Sequence, residues 1–214
     1  MSNTNMTAPR QFGSPNAILW RYRETAIRLA QSSASSTDDR EIRGNVMSAI
    51  LLTVATFEAF LNIWFRVITE RPDFSLHRAS ILADLDRRSS LRYKTREWPK
   101  RVLGRQLDLG QGVGQQFLAL LDRRNQLMHF TSSYSTVDIP EGTVEGLADM
   151  TVYESLTADD ANDAIATIDD LVAEFFAVVG KSPENCLRER HYWLGRVAFP
   201  HEIAAAKAYG ARKE

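Results

Sequence analysis

Three polar side chains interrupt an otherwise apolar helical pattern near the middle of the chain. They are Arg124, Asn125 and His129, in the segment DRRNQLMHF at 122–130. Arg124 stands where a core-facing helix would carry leucine or alanine, because arginine is rarely buried without a partner. Asn125 and His129 are four residues apart, which makes them neighbours on a helix. Departures from a local pattern of this kind are expected at functional sites.

These residue types suit chemistry on a phosphodiester. Arginine offers a planar, permanently charged fork to phosphate oxygens, and histidine takes up or releases a proton near neutral pH. Arg124 and His129 lie about 140° apart around an ideal helix, so they do not share a face, but both can border one cleft, especially one completed by a second protomer. The pattern is consistent with metal-free RNA cleavage through attack of the ribose 2′-OH. It is also consistent with a structural, salt-bridged arginine.

Hydrophobic periodicity predicts that helices position this segment. We expect an all-α fold, because apolar residues recur at helical spacing and glycine and proline are scarce. The strongest pattern, from 47 to 68, predicts a long core helix that Thr37 or Asp38 caps and Pro72 ends. Further helices are predicted at about 16–31, 79–88, 113–130 and 157–180, with two short ones on either side of Pro200.

The segment between the last two long predicted helices has a pattern that is typical of β-strands. STVDI and MTVYE flank PEG, which predicts a small β-hairpin insertion around 134–155. We divide the chain into a tail at 1–15, a helical domain at 16–180 and a C-terminal helical extension at 181–214.

Composition narrows the class of protein. The single cysteine, Cys186, leaves no partner for an intramolecular disulfide or a cysteine-rich zinc site. Histidines are scattered, so neither a metal nor a cofactor is expected. The polar N-terminus does not resemble a signal peptide, and apolar runs such as 47–57 are too short to cross a bilayer. We therefore expect a cytoplasmic protein that does not engage a membrane.

Charge is segregated along the chain. Residues 1–124 hold 19 Lys/Arg and 12 Asp/Glu, whereas 125–180 hold 11 acids and neither Lys nor Arg. The segment 87–105 carries eight bases, with Tyr93 and Trp98 among them, and Pro99 and Gly104 argue against one long helix there. This segment predicts a surface that binds RNA, with the bases contacting phosphates and the aromatic residues stacking on nucleobases. The alternative is a solvated loop that faces the acidic helix. The candidate RNA contacts are Arg92, Lys94, Arg96, Lys100, Arg101 and Arg123.

Arg124, Asn125 and His129 resemble the Arg-polar-x3-His signature of the HEPN superfamily, late in an all-α chain. The run TFEAFLN at 56–62 is similar to the long second helix of several HEPN groups. The resemblance covers roughly 40–180. One departure is that Phe130-Thr131 follows His129, where the members silenced by nucleotidylation carry a tyrosine two residues after the histidine.

The resemblance implies a helical bundle of HEPN type that forms a homodimer across the motif helices. Many members are metal-independent endoribonucleases of toxin–antitoxin, phage-defence or RNA-processing systems. Carried onto this chain, His129 would be the acid/base and Arg124 the phosphate contact. Asn125 would orient His129 or the phosphate, and Arg123 would add a second phosphate contact or remain a solvated charge.

Three further residues are candidates for a supporting role. Glu58 borders the apolar stripe of the core helix, four residues before Asn62. This polar pair is predicted to face the helix that carries the motif and to hold Arg124 or His129 in place. The alternative is that the Glu58 carboxylate lies in water. Asp122 shares a helical row with Asn125 and His129.

Three functions remain open from the sequence. The leading one is a bacterial toxin or antiviral-defence endoribonuclease that has RNA as substrate and an antitoxin or defence protein as partner. The second is a non-catalytic HEPN-like module that binds RNA, nucleotide or a partner protein. The third is an unrelated helical scaffold in which Arg124 pairs with Asp122 or with an acid on another helix.

Overall fold

The computed structural model describes residues 14–128, 134–140, 142–148 and 150–195. Within these ranges the chain forms eight α-helices, which confirms the prediction of an all-α fold. A 3-10 turn at Pro72–His77 joins the second helix to the third. The helices are α1 (Ala17–Ser35), α2 (Asp39–Ile68), α3 (Arg78–Asp86), α4 (Leu91–Leu103), α5 (Gly112–Met128), α6 (Thr151–Glu154), α7 (Ala158–Val178) and α8 (Pro183–Leu194).

Helix α2 forms the centre of the core. The Asp38 side chain caps it by accepting a hydrogen bond from the Arg40 N–H at 2.8 Å, as predicted. Phe60 packs edge to face against Phe175 of α7, with ring centroids 5.2 Å apart, and Phe57 contacts Phe117 of α5 at 5.1 Å. These aromatic contacts fix α5 and α7 on two sides of α2.

By length and composition alone, α2 is long and apolar enough to cross a membrane, contrary to the expectation drawn from the run 47–57. Half of the most apolar 18-residue stretch of α2 is buried inside the protein. Its neighbours in the core are chiefly α1 and α7. This is the burial pattern of a core helix, whose apolar residues are covered by other helices.

The chain turns tightly between α3 and α4. The backbone N–H groups of Arg88 and Ser89 donate to the carbonyls of Leu85 and Asp84, each at 3.0 Å, which is the Schellman pattern of a helix C-terminus. The Ser90 side chain then caps α4 by accepting a hydrogen bond from the Tyr93 N–H at 3.3 Å. This turn brings the start of α4 towards α5.

One long helix does not span 87–105, as predicted from Gly104, but the expectation that Pro99 interrupts the segment is wrong. Helix α4 runs through Pro99, which is buried, and ends only at Gly104 in a left-handed conformation with φ 69°. Packing of Trp98, which is fully buried, offsets the backbone hydrogen bond that proline removes.

Helix α5 begins where glycine is required. Gly112 has φ 56°, and a Cβ on Gly114 would lie 1.9 Å from the carbonyl oxygen of Asp108. The glycine-rich segment GQGVG at 110–114 therefore serves a close backbone approach. Helix α7 opens as predicted, with Thr157 and Asp160 forming a capping box.

Between α5 and α6, strand β1 (Tyr134–Ile139) pairs antiparallel with strand β2 (Gly142–Ala148). The prediction that MTVYE forms the second strand is wrong, because Thr151–Glu154 is the short helix α6. Glu154 forms an ion pair with Arg43 of α2, so tertiary contacts override local β propensity here. Helix α8 packs on α7 and α1, and its Trp193 also contacts Phe60 of α2, with ring centroids 5.5 Å apart.

Candidate functional site

Arg124 interrupts the buried face of α5. The residues around it on that face, Leu120, Leu121 and Leu127, are all buried, whereas Arg124 is half-buried. Its Nη1 donates a hydrogen bond to Oδ1 of Asn125 at 3.0 Å. Among the described residues Arg124 forms no ion pair with an acid. Within the part of the chain that the structure describes, its charge is therefore not neutralised by an acid.

A pocket of about 250 Å³ lies beside Arg124, between α2, α5 and the turn from α3 to α4. Arginines come to it from three elements: Arg88 from the turn, Arg92 from the first turn of α4 and Arg124 from α5. One acid, Glu58 of α2, also lines it. The pocket is therefore polar and cationic. Its remaining lining residues are Ser89, Ser90, Leu91, Leu121 and Asn125.

Glu58 is bound to Lys94 of α4. The Lys94 Nζ donates to Glu58 Oε1 at 2.8 Å, and the Lys94 side chain is only 4% exposed. The prediction of Lys94 as an RNA contact is therefore wrong, because its ammonium is held inside the protein. Since Lys94 neutralises Glu58, the three arginines are not balanced by the acid that shares their pocket.

Asn62 does not join this arrangement. Its Oδ1 is buried and has no hydrogen-bond partner among the residues that the structure describes, and the residues that line the pocket include Glu58 but not Asn62. The predicted Glu58–Asn62 pair is wrong, because Glu58 turns to a stronger, charged partner on α4.

The acids on either side of α5 pair with other arginines. Asp122 accepts from Arg92 at 3.1 Å, with both side chains more than half exposed. Arg123 forms an ion pair with Asp160 of α7. Burial raises the pKa of the Asp160 carboxyl, but hydrogen bonds from the Thr157 N–H, Arg123 and the Thr157 hydroxyl lower it by more. Asp160 is thus held as the anion, and Arg123 faces α7 rather than the pocket.

The remaining residues of the predicted RNA surface do not converge on the pocket. Trp98 is fully buried, so the base-stacking role predicted for it is wrong. Arg96 pairs with Glu97 on the surface at 2.7 Å, and Lys100 is exposed. The basic segment is therefore a helix with an internal face, rather than one continuous RNA-facing strip.

Arg101, also predicted to contact RNA, belongs to a buried network. It donates to Asp84 Oδ2 at 2.9 Å and to the Tyr93 hydroxyl at 2.7 Å, and Trp98 Nε1 reaches the same Asp84 oxygen at 3.0 Å. Burial lowers the pKa of Arg101, but the bonds and charges of Asp84 and Tyr93 raise it above its ordinary value. This network links α3 to α4.

His129, the predicted acid/base, follows Met128 in the sequence and lies outside the described residues. Within the described ranges, no group of three or more histidines, cysteines or acids is placed to hold a metal ion. Arg124, Asn125, Arg92 and Glu58 are the predicted residues that share the pocket.

Sequence reasoning missed Arg88, Ser89 and Ser90, although they lie in the basic segment it singled out. The signal for Ser90 was its position before a helix, where serine is a preferred cap. Arg88 gave no such signal, since glycine rather than arginine is usual at the end of a Schellman motif.

No protein-family model, curated protein sequence or solved structure matches this chain.

Proposed function

We propose that the protein is a metal-independent endoribonuclease of HEPN type, acting in a bacterial toxin or antiviral-defence system. The observation that carries the proposal is the state of Arg124: it is half-buried in the apolar face of α5 and lines a cationic pocket. A scaffold arginine at this position would be expected to pair with an acid. Asp122, one of the acids that the scaffold hypothesis would pair with Arg124, instead contacts Arg92, and no ion pair joins Arg124 to an acid of another helix within the described residues.

The roles of the three motif residues follow from their chemistry. Arg124 contacts the scissile phosphate and stabilises the charge that develops as the 2′-OH attacks. Asn125 orients Arg124 through their hydrogen bond of 3.0 Å. His129 takes the proton of the 2′-OH and returns one to the 5′-oxygen that leaves, a role that rests on its residue type and on the HEPN resemblance.

The active species is proposed to be a cytoplasmic homodimer, with two copies of the motif in one cleft and RNA as substrate. An antitoxin or defence-system protein would control it. The second candidate is a non-catalytic HEPN-like module that binds RNA, nucleotide or a partner protein. The polar, cationic pocket is also consistent with a binding module, because it would bind an anion whether or not a bond is cleaved.

Cleavage of total cellular RNA and of tRNA by the purified protein in EDTA tests the proposal, with His129→Ala measured beside it. We expect cleavage that survives chelation and leaves 2′,3′-cyclic phosphate ends, because the nucleophile is the RNA's own hydroxyl. His129→Ala is expected to abolish it.

Two results would count against this reading. Failure of well-folded wild-type protein to cleave any RNA would favour the binding module. Equal cleavage by the wild type and His129→Ala would show that His129 is not the acid/base.

A further inference from the structure

We infer that the pocket beside Arg124 is a subsite for a second phosphate of the RNA chain, bound by Arg88 and Arg92 next to the phosphate that Arg124 contacts. The assignment to RNA rests on the proposed function, but the anion subsite itself rests on the three arginines and the shape of the pocket.

The volume and chemistry of the pocket favour a small anion. At about 250 Å³ it falls below the roughly 300–1,000 Å³ of sites that enclose a whole drug-sized ligand. Arg88, Arg92 and Arg124 converge on it from separate elements. Guanidinium groups match phosphate oxygens in geometry and charge, so the pocket suits a phosphate rather than a base.

The contacts around the pocket leave its arginines available. Arg92 pairs with Asp122, but both side chains are more than half exposed, and such surface pairs are weak. A phosphate can therefore compete for Arg92. Arg88 is exposed and forms no ion pair with a described residue. Lys94 holds Glu58 at 2.8 Å, which limits repulsion between that carboxylate and an incoming anion.

The position of Arg88 strengthens the assignment. It adopts φ 54° at the end of α3, a left-handed conformation in which glycine is usual. Arginine at this point costs backbone energy that glycine would not, and it places a guanidinium at the pocket. The N-terminus of α4 adds positive potential beside the pocket, because the helix dipole leaves a partial positive charge there.

The test measures binding without catalysis. Fluorescence anisotropy follows a labelled single-stranded 2′-O-methyl oligonucleotide, whose attacking hydroxyl is blocked, against the full chain over a series of salt concentrations. The variants are Arg88→Gly and Arg88→Ala, with Arg87→Ala as the matched control. Arg87 is also exposed and is the neighbouring residue, but it does not line the pocket.

We expect both Arg88 variants to bind about tenfold more weakly, as for loss of one charge-assisted contact. The slope of log affinity against log salt should fall by about 0.7, the value for one phosphate contact on a single strand. Arg87→Ala should change neither quantity. Because glycine fits φ 54°, Arg88→Gly should melt no lower than wild type, so its weaker binding would not reflect unfolding.

Equal losses in Arg87→Ala and the Arg88 variants would overturn the subsite, since they would show only general attraction. A loss confined to a 5′-phosphorylated oligonucleotide, absent with a 5′-hydroxyl one, would overturn the assignment to an internal phosphodiester. The proposed function is judged separately. If the protein cleaves no RNA but its oligonucleotide binding depends on Arg88, the subsite is supported and the nuclease function is refuted. If the protein cleaves RNA and Arg88→Gly binds the oligonucleotide as tightly as wild type, the nuclease function is supported and the subsite is refuted.

Discussion

Helix α5 separates two depressions on the surface of the protein. On one side Arg124 lines a cationic pocket of about 250 Å³ shared with Arg88 and Arg92. On the other side Arg123 lines a groove of about 540 Å³ against α7, together with acids that include Asp160 and Asp163. The larger depression is therefore the less suitable one for an RNA phosphate, because its acids repel an anion.

The two adjacent arginines show how this difference arises. Residues next to each other on a helix point about 100° apart, so Arg123 and Arg124 face different helices. Arg123 meets Asp160 and is neutralised, whereas Arg124 has Asn125 as its hydrogen-bond partner. Residue type alone does not distinguish a structural arginine from one that is available to a ligand. The difference depends on whether the neighbouring helix supplies an acid to the arginine.

Removing the charge beneath the pocket should have the largest effect on stability. Glu58→Gln leaves Lys94, which is 4% exposed, without its counter-ion. We expect the free energy of unfolding to fall by about 2–3 kcal/mol, somewhat less than for a fully buried pair, because Glu58 is partly exposed. Urea unfolding measures this change. The double variant Glu58→Gln with Lys94→Met should recover most of the loss, and a double variant as unstable as the single would contradict the pairing.

The basic helix α4 offers a second contrast between neighbours. Arg101→Ala removes a donor from Asp84, which is 9% exposed, and should lower the free energy of unfolding by about 1–3 kcal/mol. Lys100→Ala, at an exposed position, should change it by less than about 0.5 kcal/mol. Thermal denaturation of both variants checks this. Similar melting temperatures would mean that Arg101 is not part of the fold's internal network.

The acidic side of α5 should respond to pH with a smaller effect. Because the pKa of Asp160 is lowered in the folded protein, its charge contributes stability above the unfolded pKa, and that contribution is lost as pH falls through the folded pKa. Asp160→Asn should therefore cost about 1 kcal/mol near neutral pH, a typical capping energy. The difference from wild type should shrink below about pH 4. A difference that stays constant into acid would contradict this role of the charge.

Regular patterns in the sequence predicted the framework well. The apolar stripe located α2, and the helical pattern at 157–180 located α7, because both depend on interactions within one helix. The same local reasoning correctly picked Arg124 as an interruption of the α5 stripe. These features need no knowledge of the partner elements.

Features set by contacts between helices were not predictable in the same way. From the sequence alone, Lys94 is expected to be an exposed base, but in the structure it is paired with Glu58 of α2. Pro99 is expected to break a helix, but in the structure it lies on the buried face of α4. Arg88 enters the pocket only because a turn joins α3 to α4. Each of these outcomes depends on residues that are distant in the sequence.

We propose that Arg124 contacts RNA, whereas Arg123 stabilises the fold through its ion pair with Asp160. The most direct measurement is RNA cleavage in EDTA by Arg123→Ala and Arg124→Ala, with thermal unfolding of the same samples. We predict that Arg124→Ala lowers kcat/KM by about 10²–10³, as for loss of a transition-state contact, with little change in melting temperature. Arg123→Ala should stay within severalfold of wild-type activity and melt lower, because Asp160 loses its partner. Equal activity of the two variants, or loss of activity only in Arg123→Ala, would contradict the account.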